Sequence, residues 1–428
     1  MEDQLENSLR KNQMKNKLKL LIIGAILSVR ITEAQNLPAT SDLDSLYKTF
    51  VTKHPKLICG KSKDHFDSLY LTIQPNFKNY SPDQRIFEMT RLVASIHDGH
   101  SKVGINFDTA THFHQLPVKL YVYEDGIFIR RISENDSIYA GMKVLKIGAF
   151  PIDTLIKKIL PFIHGENESA LKDILPSRLQ IPELLKYVKA VSSTNSISFV
   201  LEDSLNKIHN ISFAPIAMNA NVKWFSARNS KNAPPLYLQN INKNYWYTYL
   251  DKEQLFYFQF NAVQDMEEIS FEKFTDSMFK KINSLPIKKM IIDIRNNNGG
   301  DNTLNKYLVH ALIRSDNVNK RGKLFVITGR LTFSAAVNLA ADLEYNTNAI
   351  FVGEPTAAGP NHYGETRAIH LPVSHVLVLY SSQYWQNSFP WDQRTSIEPT
   401  IPVKLTSKNY RNNIDPCLNA IKNYKHSN

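Results

Sequence analysis

The sequence predicts an α/β protein with its core over residues 216–405, preceded by a helical region over 37–108 and an α+β insert over 109–215. Three observations predict it. From residue 245 onward, strand-like and helix-like patterns alternate, as in a sheet with crossover helices. The run 288–295, KKMIIDIR, is apolar without a polar alternation, as strands covered on both faces are. The chain has 428 residues, 43% hydrophobic and 21% charged, enough to bury a large core in two or three domains without staples.

The elements follow in order. Residues 15–19 are basic, residues 20–29 are a ten-residue apolar run, and small or polar residues follow to Asn36. That layout is a secretory signal peptide over 14–35. The run is too short for a permanent membrane span, and no cysteine follows it to take a lipid. The segment before Met14 does not fit such a leader, which makes Met14 a candidate start. The expected mature protein is exported, periplasmic or extracellular, without a permanent membrane anchor. Residues 41–97 repeat apolar positions at helical spacing, with Ser41 or Asp42 as a first cap and Ser81-Pro82 as a later one. Residues 116–132 form two strands about a turn at Glu124-Asp125-Gly126. Residues 151–190 are helical, and SISFVLED and KIHNISFAPI are strands. Then come a strand at 254–263, an amphipathic helix, the buried strand 288–295, a helix, a strand at 323–328 and the helix after Ser334. AIFVGEP and AIHLPVSHVLVLYSS are expected to close the same sheet, and residues 406–428 to end in a short helix.

Composition narrows the function. Two cysteines, Cys59 and Cys417, cannot make a disulfide framework, and neither lies in a metal-binding spacing. The net charge of +11 is spread along the chain without an arginine-rich stripe. It is read as a solvated surface, not a nucleic-acid footprint.

Three short segments carry chemistry. Ser334 follows a strand and opens an apolar helix. Unpaired N–H groups and the helix dipole there favour developing negative charge. The position suits a nucleophile beside its oxyanion hole, and equally a plain cap by Ser334 or Thr332. The strand ending at Asp293 runs into Arg295-Asn296-Asn297-Asn298-Gly299-Gly300, a turn that lets backbone approach a ligand closely. Asp293 and Arg295 could instead pair and hold that turn. His97-Asp98-Gly99-His100 is a turn, and its two histidines lack the spacing and third ligand of a zinc site.

Taken in order, DGHS, DIRNNNGG, TFSAA, GEPTAAGPNHYGE and IEPTIPV resemble the S41 peptidases, the tail-specific or C-terminal-processing proteases and their tricorn-like relatives, across residues 40–405. The resemblance implies a protease core of the crotonase and Clp-protease-like type. It also implies a degenerate PDZ-like insert over 115–155, in which Lys143-Val144 replaces the usual Gly-Asp. It makes Ser334 the nucleophile of a serine-type endopeptidase. The N–H groups of Ala335 and of Gly299 or Gly300 become the oxyanion hole. One branch of the family uses a lysine base soon after the serine, but no lysine lies between Lys323 and Lys404. The tricorn-like branch places a histidine at His100, with His97 as the fallback, and imidazole suits a general base near neutral pH. The family's orienting glutamate has no clear match. Gln383 is the best placed polar residue, with Glu365 and Asp392 as alternatives, and Glu354 is read as structural. The chemistry calls for no cofactor, and the partner is a peptide or protein substrate. The rival is a binding protein on the same fold, with Tyr380, Tyr384, Trp385, Phe389 and Trp391 lining an apolar pocket.

Overall fold

A computed structural model describes residue 38 and residues 40–105, 112–229 and 231–425. The expected signal peptide, 14–35, lies outside the described residues.

The described residues open with helices α1 (Ser41–Lys53), α2 (Pro55–Ile58), α3 (Lys63–Ile73) and α4 (Pro82–Ala94). Thr40, not Ser41 or Asp42, is the first cap position, and its side chain makes no cap bond. Ser81 and Gln84 form a reciprocal capping box, with Pro82 as the first helical residue. Strand β1 (Lys102–Val103) follows the turn that holds His100.

The insert is a seven-stranded antiparallel sheet. It contains β3 (Val118–Tyr123), β4 (Gly126–Ser133), β5 (Lys143–Ile147), β6 (Phe150–Pro151), β7 (Ile197–Glu202), β8 (Ile208–Phe213) and β10 (Trp224–Ser226). Two short strands, β2 (His114–Gln115) and β9 (Ile216–Ala217), pair beside it. Helices α5 (Ile152–Ile159), α6 (Glu168–Arg178) and α7 (Pro182–Tyr187) separate β6 from β7. The sheet runs past residue 215, because Trp224–Ser226 pairs with the far edge of β4.

The core sheet has the order β11 (Tyr245–Leu250), β12 (Leu255–Phe260), β13 (Lys289–Asp293), β14 (Leu324–Thr328), β15 (Ile350–Gly353) and β18 (Ile401–Pro402). Its first pair is antiparallel and the rest are parallel. Helices α8 (Phe271–Asn283), α9 (Asn305–Ile313) and α10 (Ala335–Asn346) make the crossovers. Every residue of β12, β14 and β15 is buried, which accounts for the unbroken apolar runs. Two short helices, α11 (Ser407–Arg411) and α12 (Pro416–Asn423), end the described chain.

One expectation is corrected. The segment read as closing the core sheet forms a separate hairpin, β16 (Asn361–His370) and β17 (Leu377–Gln386), which pairs with β1 in a three-stranded sheet. Ile401–Pro402 closes the core sheet instead. The hairpin's inward residues Val378 and Tyr380 pack into the apolar core shared by the helical region and the insert. That burial draws the hairpin away from the sheet it follows in sequence. It also carries β1, and so His100, toward the core.

Candidate active site

Ser334 stands at the cap position of α10, but its side chain makes no cap bond. Its backbone lies at φ 53° and ψ −127°, a region that costs a non-glycine residue on the order of 1–3 kcal/mol. The hydroxyl next to it does the structural work. The buried Thr332 Oγ donates to the Ile294 carbonyl at 2.9 Å and accepts from the Gly329 N–H at 3.0 Å. The sharp strand-to-helix turn is therefore pinned from within, and Ser334 is left out of that pinning. A strained serine on such a turn is a recurrent nucleophile geometry.

Asn297 fastens the glycine turn to this loop. Fully buried, it donates from Nδ2 to the Phe260 carbonyl at 3.0 Å, accepts the Gly299 N–H at 2.9 Å, and its carbonyl accepts the Phe333 N–H at 3.1 Å. Both glycines have left-handed φ, 101° and 141°. A Cβ at Gly299 would meet Ser334 Cβ at 2.7 Å, and one at Gly300 would meet the Val263 carbonyl oxygen at 2.1 Å. Since the Gly299 N–H is committed to Asn297, the donors open to an oxyanion are those of Gly300 and of Ala335, whose N–H heads the helix. Just past the strand end, Arg295 pairs with Asp293 and makes a two-pronged bond to Asp415, at 3.0 and 2.9 Å. The Asp293–Arg295 pair expected from sequence thus holds the turn, with a third member from the cap of α12.

His100 faces the same cavity. A space of about 500 Å³ is lined by His100, Asn298, Gly300, Ser334, Ala335 and Glu365, among others. The imidazole packs on Phe333 at 4.2 Å between ring centroids and near-parallel to His362 at 5.8 Å. It is 8% exposed, yet among the described residues neither ring nitrogen has a hydrogen-bond partner. Burial lowers its pKa below the ordinary value, and Lys102 adds to this; Asp98, the Tyr363 backbone and Glu365 pull the other way. The Tyr363 group acts at a distance, short of hydrogen-bond geometry with the ring. The imidazole therefore takes up a proton less readily than a free histidine, and hydrogen bonds at such sites often tighten only once a ligand arrives.

Beneath His100 lies a buried knot that the sequence analysis missed. Asp98 Oδ1 accepts the His100 N–H at 3.0 Å and lies 4.0 Å from His100 Nδ1. Its Oδ2 accepts from Ser381 Oγ at 2.7 Å and from Ser101 Oγ, and lies 2.9 Å from His54 Nε2. Burial would raise the Asp98 pKa, but His54, His100 and Ser101 outweigh it and hold the carboxyl well below the carboxylate range. Glu166 lies close by. Burial, with Asp98 adding to it, pushes its carboxyl up to about 8 despite Lys56 and the Gly99 and Gly359 backbone.

The structure brings Ser334, His100, Gly299, Gly300 and Ala335 together. It does not bring Gln383, which is exposed on β17 opposite Gly364 and is not among the residues lining the cavity. Glu365 does line it, half-exposed and 3.8 Å from Arg367. Asp392 is tied to Arg394 and Ser388 and lines a different space. His97 is exposed and not among the lining residues, and Glu354 is paired with Arg330. Nor do the five aromatics converge: Tyr380 is in the core, Trp391 is 72% exposed, and Trp385 alone of them lines the Ser334 cavity.

No family model matches the sequence, and no curated protein matches it. Solved structures do. A serine-to-alanine mutant of CPAF has a TM-score of 0.64 at 12% identity, covering 91% of this chain and 98% of its own. Mature CPAF complexed with lactacystin has a TM-score of 0.63 at 12% identity, covering 87% and 95%. The photosystem II D1 C-terminal processing protease matches more loosely, with a TM-score of 0.41 at 10% identity, over 87% and 94%. The chain therefore has the fold of CPAF, shared over nearly its whole described length.

Proposed function

We propose that this chain is an exported serine-type endopeptidase of the S41 kind, using Ser334 as nucleophile and His100 as general base. The observation that carries the reading is the meeting, in one cavity, of a strained serine without a cap bond and a buried imidazole without a partner. Ser334 Oγ attacks the carbonyl carbon of a peptide bond and its proton passes to His100. The tetrahedral oxyanion points at the N–H groups of Gly300 and Ala335. His100 then gives its proton to the leaving amine as the C–N bond breaks, and a water, deprotonated by the same imidazole, frees the acyl group from Ser334. Asp98 takes the orienting place for which Gln383 was the best placed candidate, and it supplies the negative charge favouring the imidazolium that a neutral amide could not. The fold likeness, the order of motifs and the parallel core support a crotonase-like protease core. The β3–β8 sheet supports a PDZ-like ancestry for the insert. The leader sequence supports export to the periplasm or the exterior, and among the described residues no helix is long and apolar enough to cross a membrane.

The test is intact mass after incubation with a fluorophosphonate. The expected result is one adduct on the wild type and none on Ser334→Ala or His100→Ala, with folding checked by circular dichroism. The unlabelled wild type, shown folded, would overturn the reading.

A further inference from the structure

His54 is fully buried at the cap of α2, a helix of one turn. Its ring stacks on Phe50 at 5.8 Å between centroids and leans on Tyr363 of β16 at 5.8 Å. A cap needs only an acceptor, which a serine or an asparagine supplies with fewer atoms. The imidazole has a second side, and that side faces Asp98.

The protons between the two residues can be placed one by one. The Lys56 N–H donates to His54 Nδ1 at 3.2 Å. A backbone N–H can only donate, so Nδ1 carries a lone pair and the ring holds its one proton on Nε2. Nε2 lies 2.9 Å from Asp98 Oδ2, the acceptor for that proton. Ser101 Oγ accepts the Ser381 N–H at 3.1 Å and donates its own proton to the same Oδ2. Ser381 Oγ donates a third, at 2.7 Å. The His100 N–H donates to Oδ1 at 3.0 Å, and that oxygen stands 4.0 Å from His100 Nδ1. Among the described residues no lysine or arginine pairs with Asp98. Lys56 is near, but its ammonium donates to the Ile96 and His97 carbonyls. The carboxylate is thus held by four donors and no cation. Of the three donors on Oδ2, two are hydroxyls, which rotate freely toward another acceptor. The ring N–H of His54 has one direction, set by the cap bond and the stacked ring.

We propose that His54 is a positioning residue for His100: locked as the Nε2–H tautomer, it holds the Asp98 carboxylate with Oδ1 turned toward the His100 imidazole. It acts through Asp98, not on the substrate, and the inference rests on the reading of His100 as the base. The carboxylate has no permanent counter-ion, so the charge it presents is matched only when His100 takes up a proton. Without the His54 donor, Oδ2 keeps two rotatable hydroxyls, and neither fixes the plane of the carboxylate. The negative charge beside His100 then weakens, and the imidazolium is favoured less.

Two readouts on the full chain test it. The first is nuclear magnetic resonance of the histidine ring nitrogens near neutral pH, assigned with His54→Gln and His100→Gln. Wild-type His54 should carry its proton on Nε2 alone. A proton on Nδ1 would overturn the proposal, whether or not a variant folds. The second compares His54→Leu, which removes the donor, with His54→Gln, whose amide N–H reaches the same place; circular dichroism checks the folding of both. In His54→Leu the His100 titration should move to lower pH, and the plateau of fluorophosphonate labelling should fall at least about ten-fold. His54→Gln should recover most of both. Equal losses in the two variants with the His100 titration unmoved would reduce His54 to packing and overturn the proposal. So would a His54→Leu protein in which neither readout changes. Lys102 of β1, Glu365 and His362 of β16, His164 and Glu166 ahead of α6, and Lys56 of α2 also face His100 or Asp98. They are the same in every variant, so a moved titration reports the carboxylate. A folded wild type that takes no label would count against Ser334 as nucleophile, while the His100 titration, which needs no label, still decides the role of His54.

Discussion

The two halves of the candidate site are built by different means. The Ser334 half is made of backbone. Two adjacent parallel strands end in loops whose shape is set by glycine φ angles, a strained serine and the buried side chains of Asn297 and Thr332. The His100 half is made of packed side chains from distant parts of the chain. Asp98, His54, Ser101 and Ser381 come from the helical region and the far hairpin, and the Asp98–Ser381 bond alone spans 283 positions. The first half tolerates almost no added atom, whereas the second depends on charge and orientation. Substitutions should separate them.

The largest effects belong to the backbone half. Gly300→Ala puts a methyl group 2.1 Å from the Val263 carbonyl oxygen, so the turn must move. Fluorophosphonate labelling of Ser334 should fall by at least about a hundred-fold, the scale of losing an oxyanion donor. Labelling that stays near wild type would place the oxyanion donors elsewhere.

Next comes Asp98→Asn. The carboxylate raises the His100 pKa against the effect of burial, so its removal lowers that pKa further. A base works above its pKa. The acidic limb of the labelling profile, expected below pH 6.5 in the wild type, should move to still lower pH while the plateau rate drops. A purely structural Asp98 would lower the plateau without moving the limb. A smaller effect is expected at Glu166. Its folded-state pKa, about 8, lies above the ordinary 4.5. The stability its raised pKa contributes is fully present below about 4.5 and is lost as pH rises through about 8. Thermal melts should show the wild type losing stability over that window more steeply than Glu166→Gln. Smallest of all is Gln383→Ala, an exposed position not among those lining the cavity, where labelling should stay within about two-fold.

The same contrast explains what could be read in advance. Gly299 and Gly300 in one segment, and Ser334 in another, sit where a strand, a polar turn and a helix are contiguous, so each part of the chemistry is written within about a dozen residues. The buried strands were legible because burial on both faces leaves unbroken apolar runs. His54 and Ser381 carried no such signal: nothing local distinguishes a histidine after a helix or a serine in a strand from a hundred others. Their partnership exists only through tertiary packing. The β16–β17 hairpin was misplaced for a related reason. Its apolar residues matched the next strand of the core sheet, while the surface they cover belongs to the helical region. The antiparallel strand β11, YWYTYL, passed unnoticed, because its aromatic alternation does not resemble the continuous runs beside it.

Arg295 takes part of its charge balance from Asp415, which lies 120 positions later in the chain. During synthesis, Ser334 and His100 have both emerged well before that aspartate, yet the strand end beneath the oxyanion turn still lacks its second anchor. A ribosome-bound chain therefore holds its reactive groups without the brace that aligns them. The order of translation itself delays the moment at which the turn beside the proposed nucleophile is fully braced.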